Sequence, residues 1–428
     1  MAADAPPGTP AITGLSEFSL AILLFQIGVI LIAARIVGWL FRQMHQPQVV
    51  GEMTAGIMLG PSLLGWVAPV FSATVFPAAS LSFLNALSQI GLVVFMFLVG
   101  LELEPKMMRG RGHTAVVTSH VSILAPFILG SALTLYLYPR LSSANVPFSS
   151  FALFMGVSMS ITAFPVLARI LTEHRMLGTP VGALTIACAA VDDVTAWCIL
   201  AGVVLIIRGA ASTMPFWAML LGTAAYACAM IFGARLWLRK LSTIYHRRGE
   251  VTQDLLGGIL LLALASALIT ERLGIHALFG AFLLGAVMPK EKAFVEALKG
   301  KLEHLTVVLL LPLFFAFTGL RTNIGALHSS EMWGYLGLVL LVAIFGKLGG
   351  SMLASRLTGL SWREAGTVGV LMNTRGLVEL VALNIGLEIG VISPALFTIM
   401  VLMALITTFM TTPALHWVYP ARLRQNDT

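Results

Sequence analysis

The sequence predicts an all-α, polytopic membrane protein, and three observations carry that prediction. Of its 428 residues, 58% are hydrophobic and only 11% charged, with a mean hydropathy of +0.93, well outside the range of soluble domains. The apolar residues gather into runs near the length of about 20 that crosses a bilayer core. The basic residues fall in short clusters between those runs, and the clusters alternate in strength, as expected when positive loops stay on one side. The net charge of +7 therefore signals loop placement, and no nucleic-acid partner is expected.

Taken in order, thirteen segments are expected to span: 18–37, 48–66, 82–102, 114–138, 150–171, 180–207, 214–238, 252–270, 274–289, 303–320, 332–355, 364–387 and 394–417. Residues 1–15 read as a disordered tail. They are Pro/Gly-rich and lack the basic start of a cleaved signal peptide. Cys188, Cys198 and Cys228 all lie in apolar runs, so no disulfide framework is implied.

Alternate connections hold Arg35/Arg42, Lys106/Arg109/Arg111, Arg169/Arg175, Arg235/Arg239/Lys240/Arg247/Arg248, Lys290/Lys292/Lys299/Lys301, Arg356/Arg363 and Arg422/Arg424. The opposite side has Arg140, Arg208, Arg272 and Arg321. A split of 20 to 4 predicts an outside N-terminus and a cytoplasmic C-terminus, with 418–428 as a cytoplasmic tail.

The third and tenth segments end alike, in Phe95-Met96-Phe97-Leu98-Val99-Gly100-Leu101 and Phe314-Phe315-Ala316-Phe317-Thr318-Gly319-Leu320. The two run in opposite directions. Segments 1–6 and 8–13 therefore read as inverted repeats, with 214–238 as the linker helix, a recurring plan of secondary transporters. The fifth segment of each repeat is interrupted, by Ser160-Ile161-Thr162-Ala163-Phe164-Pro165 and by Asn373-Thr374-Arg375-Gly376. Paired breaks of this kind aim helix ends and free carbonyls at the midplane and mark a transport site.

Six ionisable residues within the expected spans are singled out: Glu52, Asp192, Asp193, Lys347, Arg375 and Glu379. Each such side chain costs about 2.5–3.5 kcal/mol near the bilayer centre on insertion scales. Asp192 and Asp193 are also of like sign and adjacent, so the pair needs a proton or a cationic partner. They point about 100° apart on a helix, so one can face Lys347 while the other faces a cavity. Arg375 and Glu379 are four apart and can share a face beside the break. Glu52 is expected near the cytoplasmic surface. His120 and His276 lie near or within spans, where they either pack or tune a pH response.

These residues carry a family resemblance. Ala189 to Trp197, Met372 to Leu380, the Phe314 to Leu320 run, Pro47-Gln48-Val49-Val50-Gly51-Glu52 and Gly60-Pro61 together resemble the second superfamily of monovalent cation:proton antiporters. The match is nearest to the plant cation/proton exchangers and their bacterial relatives. The resemblance implies a homodimer in which 18–102 and 252–320 form a dimerisation scaffold. A core of 114–207 and 332–417 would then move by elevator-like alternating access. It implies that Asp193 carries Na⁺ or K⁺ and H⁺, that Asp192 pairs with Lys347, and that Thr162 helps bind the cation. Ser160, Pro165, Asn373, Thr374, Arg375 and Glu379 would support the site at the breaks. The plant branch usually has Asn where this chain has Asp192, which points toward the paired-aspartate, electrogenic pattern.

The expected setting is the cell membrane. No cofactor is called for, and no enzymatic role. The chain ends at Thr428 without a Gly-x-Gly-x-x-Gly run after the last segment, so nucleotide gating is not expected. Three rivals were weighed. A potassium efflux channel should show a carbonyl-lined filter repeat, and none is present. A sodium-coupled symporter for an organic anion could use the same inverted-repeat plan, but paired aspartates with no surplus of core cations argue against an anionic substrate. An intramembrane aspartyl protease needs its aspartates on separate helices.

Overall fold

The computed structural model describes residues 20–102, 112–143, 146–174, 176, 179–211, 215–274 and 276–419, and its regular structure there is entirely helical. The expected tail at 1–15, Lys106, Arg109, Arg111, Arg175, Arg422, Arg424 and nearly all of 418–428 lie outside the described residues. The first half runs α1 (Leu20–Gln43), α2 (Gln48–Leu59), two short turns α3 (Leu64–Val67) and α4 (Pro69–Val75), α5 (Ala78–Glu102) and α6 (Gly112–Leu141). It continues through α7 (Phe148–Ser160), α8 (Phe164–Glu173), α9 (Pro180–Ala211), α10 (Phe216–Cys228) and α11 (Arg235–Arg248). The second half comprises α12 (Gln253–Arg272), α13 (Ala277–Val287), α14 (Lys292–Leu305), α15 (Leu311–Leu320), α16 (Ser330–Ile344), α17 (Gly350–Leu357), α18 (Trp362–Met372), α19 (Leu377–Glu388) and α20 (Pro394–Val418).

Among the described residues, ten helices are long and apolar enough to cross a membrane. An eleventh crossing follows if α18 and α19, bent by 43° at their junction, count as one span. The chain is a multi-pass membrane protein. Two of the thirteen expected segments are shorter than foreseen. The run at 48–66 forms the 12-residue α2, closed by Gly60, with Pro61 directly after it. The run at 274–289 forms the 11-residue α13, with His276 as its N-cap.

The connection holding Lys292, Lys299 and Lys301 is not a loop. It is the helix α14, which a π-helical turn at Thr306–Leu310 joins to α15. Phe294, Leu298 and Leu302 recur every four residues and are buried, while Lys292 and Lys301 are exposed and Lys299 reaches Glu102 of α5 at 2.5 Å. That is the pattern of an amphipathic helix lying against a bundle.

Two sets of helices pack mainly among themselves: α1, α2, α5, α12, α13 and α15, and then α6, α7, α9, α16, α17, α18 and α20. Glycines set the tightest crossings in the first set. A Cβ on Gly100 of α5 would lie 2.1 Å from the Phe282 carbonyl oxygen of α13, and one on Gly285 2.1 Å from the Phe97 oxygen. A Cβ on Gly56 of α2 would lie 2.1 Å from the Phe315 oxygen of α15, and one on Gly319 2.0 Å from the Gly56 backbone. Gly100 and Gly319 are the glycines shared by the two repeated heptads, and each seats its helix on a short apolar partner. Close backbone approach at small residues is the usual way that membrane helices associate.

Candidate functional site

The site forms where two interrupted helices cross. α7 stops at Ser160, and Pro165, in the first turn of α8, has no N–H to continue the helical ladder. α18 stops at Met372 and α19 resumes at Leu377. The two breaks touch through their backbones, with the Ala163 N–H donating to the Thr374 carbonyl at 3.0 Å. Gly376 permits that approach, since a Cβ there would fall 2.8 Å from Val166 Cγ2. The Thr408 hydroxyl of α20 ties down the second break. It accepts from the Arg375 N–H at 3.0 Å and donates to the Arg375 carbonyl at 2.7 Å.

A helix that ends inside a membrane leaves carbonyls without donors. Here two buried cations supply them. Arg375 donates from Nη1 to the Ser158 carbonyl at 3.1 Å and from Nη2 to Met159 at 2.7 Å. Lys347 Nζ donates to the Ser160 carbonyl at 2.6 Å. The negative end of α7 thus receives two positive charges, the favourable sign for a helix C-terminus. Arg375 also pairs with Glu379 at 3.1 Å.

Lys347 sits in a π-helical turn, Phe345–Gly349, a local irregularity common at functional sites. Its three donors have three acceptors: Ser160, the Ser122 carbonyl at 3.0 Å and Asp192 Oδ2 at 2.9 Å. Both oxygens of Asp192 are engaged as well. Oδ2 also accepts from the Ser122 hydroxyl at 2.5 Å and the Thr162 hydroxyl at 2.9 Å, and Oδ1 accepts from Ser119 at 2.7 Å.

Asp193, one residue on in α9, is the opposite case. It is fully buried, and neither carboxylate oxygen has a hydrogen-bond partner among the described residues. Buried polar atoms are almost always paired, so a doubly bare carboxylate calls for an occupant. Asp192, Asp193, Lys347, Arg375 and Glu379 are all at 0% exposure. With every group ionised, three carboxylates face two cations and one negative charge is left over. A single proton or monovalent cation cancels it.

The other expected residues fall around this centre. The Thr162 hydroxyl is engaged by Asp192, so in this conformation it does not serve Asp193. The Ser160 hydroxyl bonds within its own helix to Gly156 and across to the Ile123 carbonyl. Asn373 is buried at the break with its side-chain oxygen unpaired. His120 is exposed and bonds the Val116 carbonyl of its own helix. His276 stands 3.7 Å from Glu388. Glu52 is buried and accepts from Gln48 at 2.9 Å. It lines a cavity of about 420 Å³ with Glu102, Glu303, Lys299 and Arg169, whose inner wall includes Pro165, Val166 and Leu377 beside the two breaks. Ser119 and Ser122 escaped sequence reading because serine in a membrane helix has no distinguishing cost. The only available signal was their spacing of three, which puts both hydroxyls on one face of α6.

Residues 30–419 match the family described as sodium/hydrogen exchanger, transmembrane. This chain belongs to that family. Within it, the chain is 44% identical over 404 residues to the Na⁺/H⁺ antiporter NhaS4 of Synechocystis, covering 94% of this chain and 98% of that one. It is 42% identical to cation/H⁺ antiporter 18 of Arabidopsis thaliana over 96% of this chain, and 34% identical to the K⁺/H⁺ antiporter 1 of Saccharomyces cerevisiae over 96%. It spans 51% and 48% of those two longer proteins. The fold resembles that of the sodium proton antiporter MjNhaP1 from Methanocaldococcus jannaschii, with a TM-score of 0.64 at 17% identity over 95% of this chain and 99% of that one.

Proposed function

We propose that this exchanger-family chain is a secondary antiporter that exchanges Na⁺ or K⁺ for protons, with Asp193 as the carrier. The observation that carries this reading is the contrast between the two aspartates. Asp192 accepts four hydrogen bonds, three on Oδ2 and one on Oδ1, whereas Asp193 accepts none from protein. A carboxylate short of one positive charge takes a proton or a dehydrated monovalent cation in turn, and the two therefore compete. Both cations are retained because the relatives' names include sodium and potassium antiporters.

The finer features are proposed with it. α2 and α13 complete thirteen crossings, and the exchange of partners between α5–α13 and α2–α15 supports two inverted repeats. α1, α2, α5 and α12–α15 act as the dimerisation scaffold of a homodimer. α6–α9 and α16–α20 form the core that carries the site by an elevator motion. The protein lies in the cell membrane with the N-terminus outside. Asp192 and Lys347 separate when the cation binds, so that the lysine proton also moves and the exchange is electrogenic.

Purified protein in vesicles holding a pH gradient tests the reading. Addition of Na⁺ or K⁺ should dissipate the gradient, and Asp193→Asn should abolish the response while the protein remains monodisperse. Exchange that survives Asp193→Asn sinks the assignment. Absence of a response to either cation between pH 6 and pH 9 sinks antiport itself.

A further inference from the structure

Lys347 depends on a carbonyl that an intact helix would not offer. In α6, Ser122 should bond its carbonyl to the N–H four residues on, but that residue is Pro126, inside the helix and without an N–H. The Ser122 carbonyl is thereby free for Lys347 Nζ at 3.0 Å, while the hydroxyl of the same residue donates to Asp192 at 2.5 Å. Ser122 thus holds both members of the charge pair at once, and Ser119, three residues earlier, holds the other oxygen of Asp192. Proline also brings α6 against the lysine's own turn: a Cβ on Gly346 would lie 2.8 Å from Pro126 Cα. The same device occurs in the scaffold, where Pro312 follows Val308 by four residues and Arg35 donates to the Val308 carbonyl at 3.4 Å.

We infer that Ser119, Ser122 and Pro126 are positioning residues that clamp Lys347 onto Asp192 and so set how strongly a cation must compete to occupy the site. The inference rests on the proposed exchange at Asp193. Lys347 and the incoming cation draw on the same negative charge. Each hydrogen bond that fixes the lysine or saturates Asp192 raises the cation concentration needed to fill the site. Loosening the clamp therefore strengthens apparent cation binding, the reverse of what packing damage does.

The test compares Ser119→Ala/Ser122→Ala and Pro126→Ala with the native protein in vesicles, reading the Na⁺ or K⁺ concentration for half-maximal exchange and the maximal rate separately. Ser131→Ala is the control, because its hydroxyl bonds the Ala152 carbonyl away from the clamp. Each clamp variant should lower the half-maximal cation concentration roughly threefold to tenfold, the scale of one or two hydrogen bonds, and the control should leave it unchanged. Pro126→Ala keeps a Cβ and restores a normal helical N–H, so it supplies the measurement if the serine pair does not fold. Native exchange with unchanged or raised half-maximal concentrations in the folded variants overturns the inference alone. A native protein without exchange overturns the proposed function instead.

Discussion

Replacing Lys347 by Gln tests the charge accounting at the crossing through stability. The substitution removes the cation 2.9 Å from Asp192 and leaves that carboxylate buried with only the hydroxyls of Ser119, Ser122 and Thr162. Breaking one side of a buried ion pair typically costs about 3–5 kcal/mol. The low end applies here, because three donors remain and a glutamine amide can still reach one of the freed carbonyls. Unfolding entropy of about 2.1 cal/mol/K per residue gives roughly 0.9 kcal/mol/K for a chain of 428 residues. A loss of about 3 kcal/mol then lowers Tm by about 3 °C, and by more if the helices persist in the unfolded state. Adding Asp192→Asn removes the stranded charge, so the double variant should regain about 2 kcal/mol, a coupling within the range for residues in contact. The fluorescence of the eight tryptophans in detergent-solubilised protein reports the transition. A Tm within 1 °C of native for Lys347→Gln refutes the reasoning, as does a double variant less stable than the single one.

Three further outcomes follow from the geometry. Arg375→Ala strips the donors from the Ser158 and Met159 carbonyls and leaves Glu379 buried without a partner, at a cost of about 3–5 kcal/mol. Its exchange rate per folded protein should fall at least about tenfold, and Arg375→Lys should recover only part because one ammonium lacks the guanidinium's fork. Gly319→Ala places a Cβ 2.0 Å from the α2 backbone and should destabilise by about 3 kcal/mol, the upper range for overpacking. Gly202→Ala, with nothing within 4 Å, should be neutral or slightly stabilising in the same melt. Glu291, at the start of α14, is held below the usual carboxylate range by the Ser242 hydroxyl of α11, with burial opposing and His246 of α11 adding further lowering. A depressed carboxylate contributes its contact above the unfolded pKa and loses it as pH falls through the folded value. Hydrogen exchange at 242–248, corrected for intrinsic rates, should therefore keep its protection from pH 8 to pH 5. Protection lost anywhere within that range refutes the assignment.

The parts that the sequence revealed are those that are costly to bury. Asp192, Asp193, Lys347, Arg375 and Glu379 stood out because charge in an apolar run demands compensation, and the breaks at 160–165 and 373–376 because Pro and Gly-flanked polar residues interrupt a hydrophobic period. The partners that do the compensating carried no such signature. Ser119, Ser122 and Thr408 are small, cheap residues in helices, and nothing in the sequence ties Pro126 to the carbonyl that it frees for Lys347. α14 was missed because its lysines dominated the composition, although Phe294, Leu298 and Leu302 already held the helical spacing. The shortness of α2 and α13 was equally hidden, since an apolar run ends in sequence only where a polar residue appears, whereas α2 ends at Gly60-Pro61 with apolar residues on both sides.

The distribution of polar contacts bears on how such a site can move. Apart from Asp193, the charged groups at the crossing find their partners within α6, α7 and its break, α9, α19 and the π-turn of Lys347: Asp192 with Ser119, Ser122, Thr162 and Lys347, and Arg375 with Ser158, Met159 and Glu379. On the proposed division these all lie in the core, so the motion itself pulls none of them apart in hydrocarbon, where separating them is most costly, and the Asp192–Lys347 pair opens only on cation binding. The polar contacts that join core to scaffold lie elsewhere: Arg208 of α9 with Glu271 of α12 at 3.0 Å, Arg169 of α8 with Gln48 of α2 at 3.5 Å, and a group at the other end of α19. Glu388 meets Arg321 at 3.4 Å, His276 at 3.7 Å and Gln89 at 3.4 Å, and Asn384 meets Thr318 at 2.9 Å. Arg321 and Glu388 are about a quarter exposed, so water can replace their ion pair as it opens, and exposed pairs of this kind are worth about 0–1 kcal/mol each, while the buried Asn384–Thr318 contact is between neutral groups. Strong electrostatics inside the moving body and weak electrostatics along its rim are what a rigid core needs to slide without losing its ion.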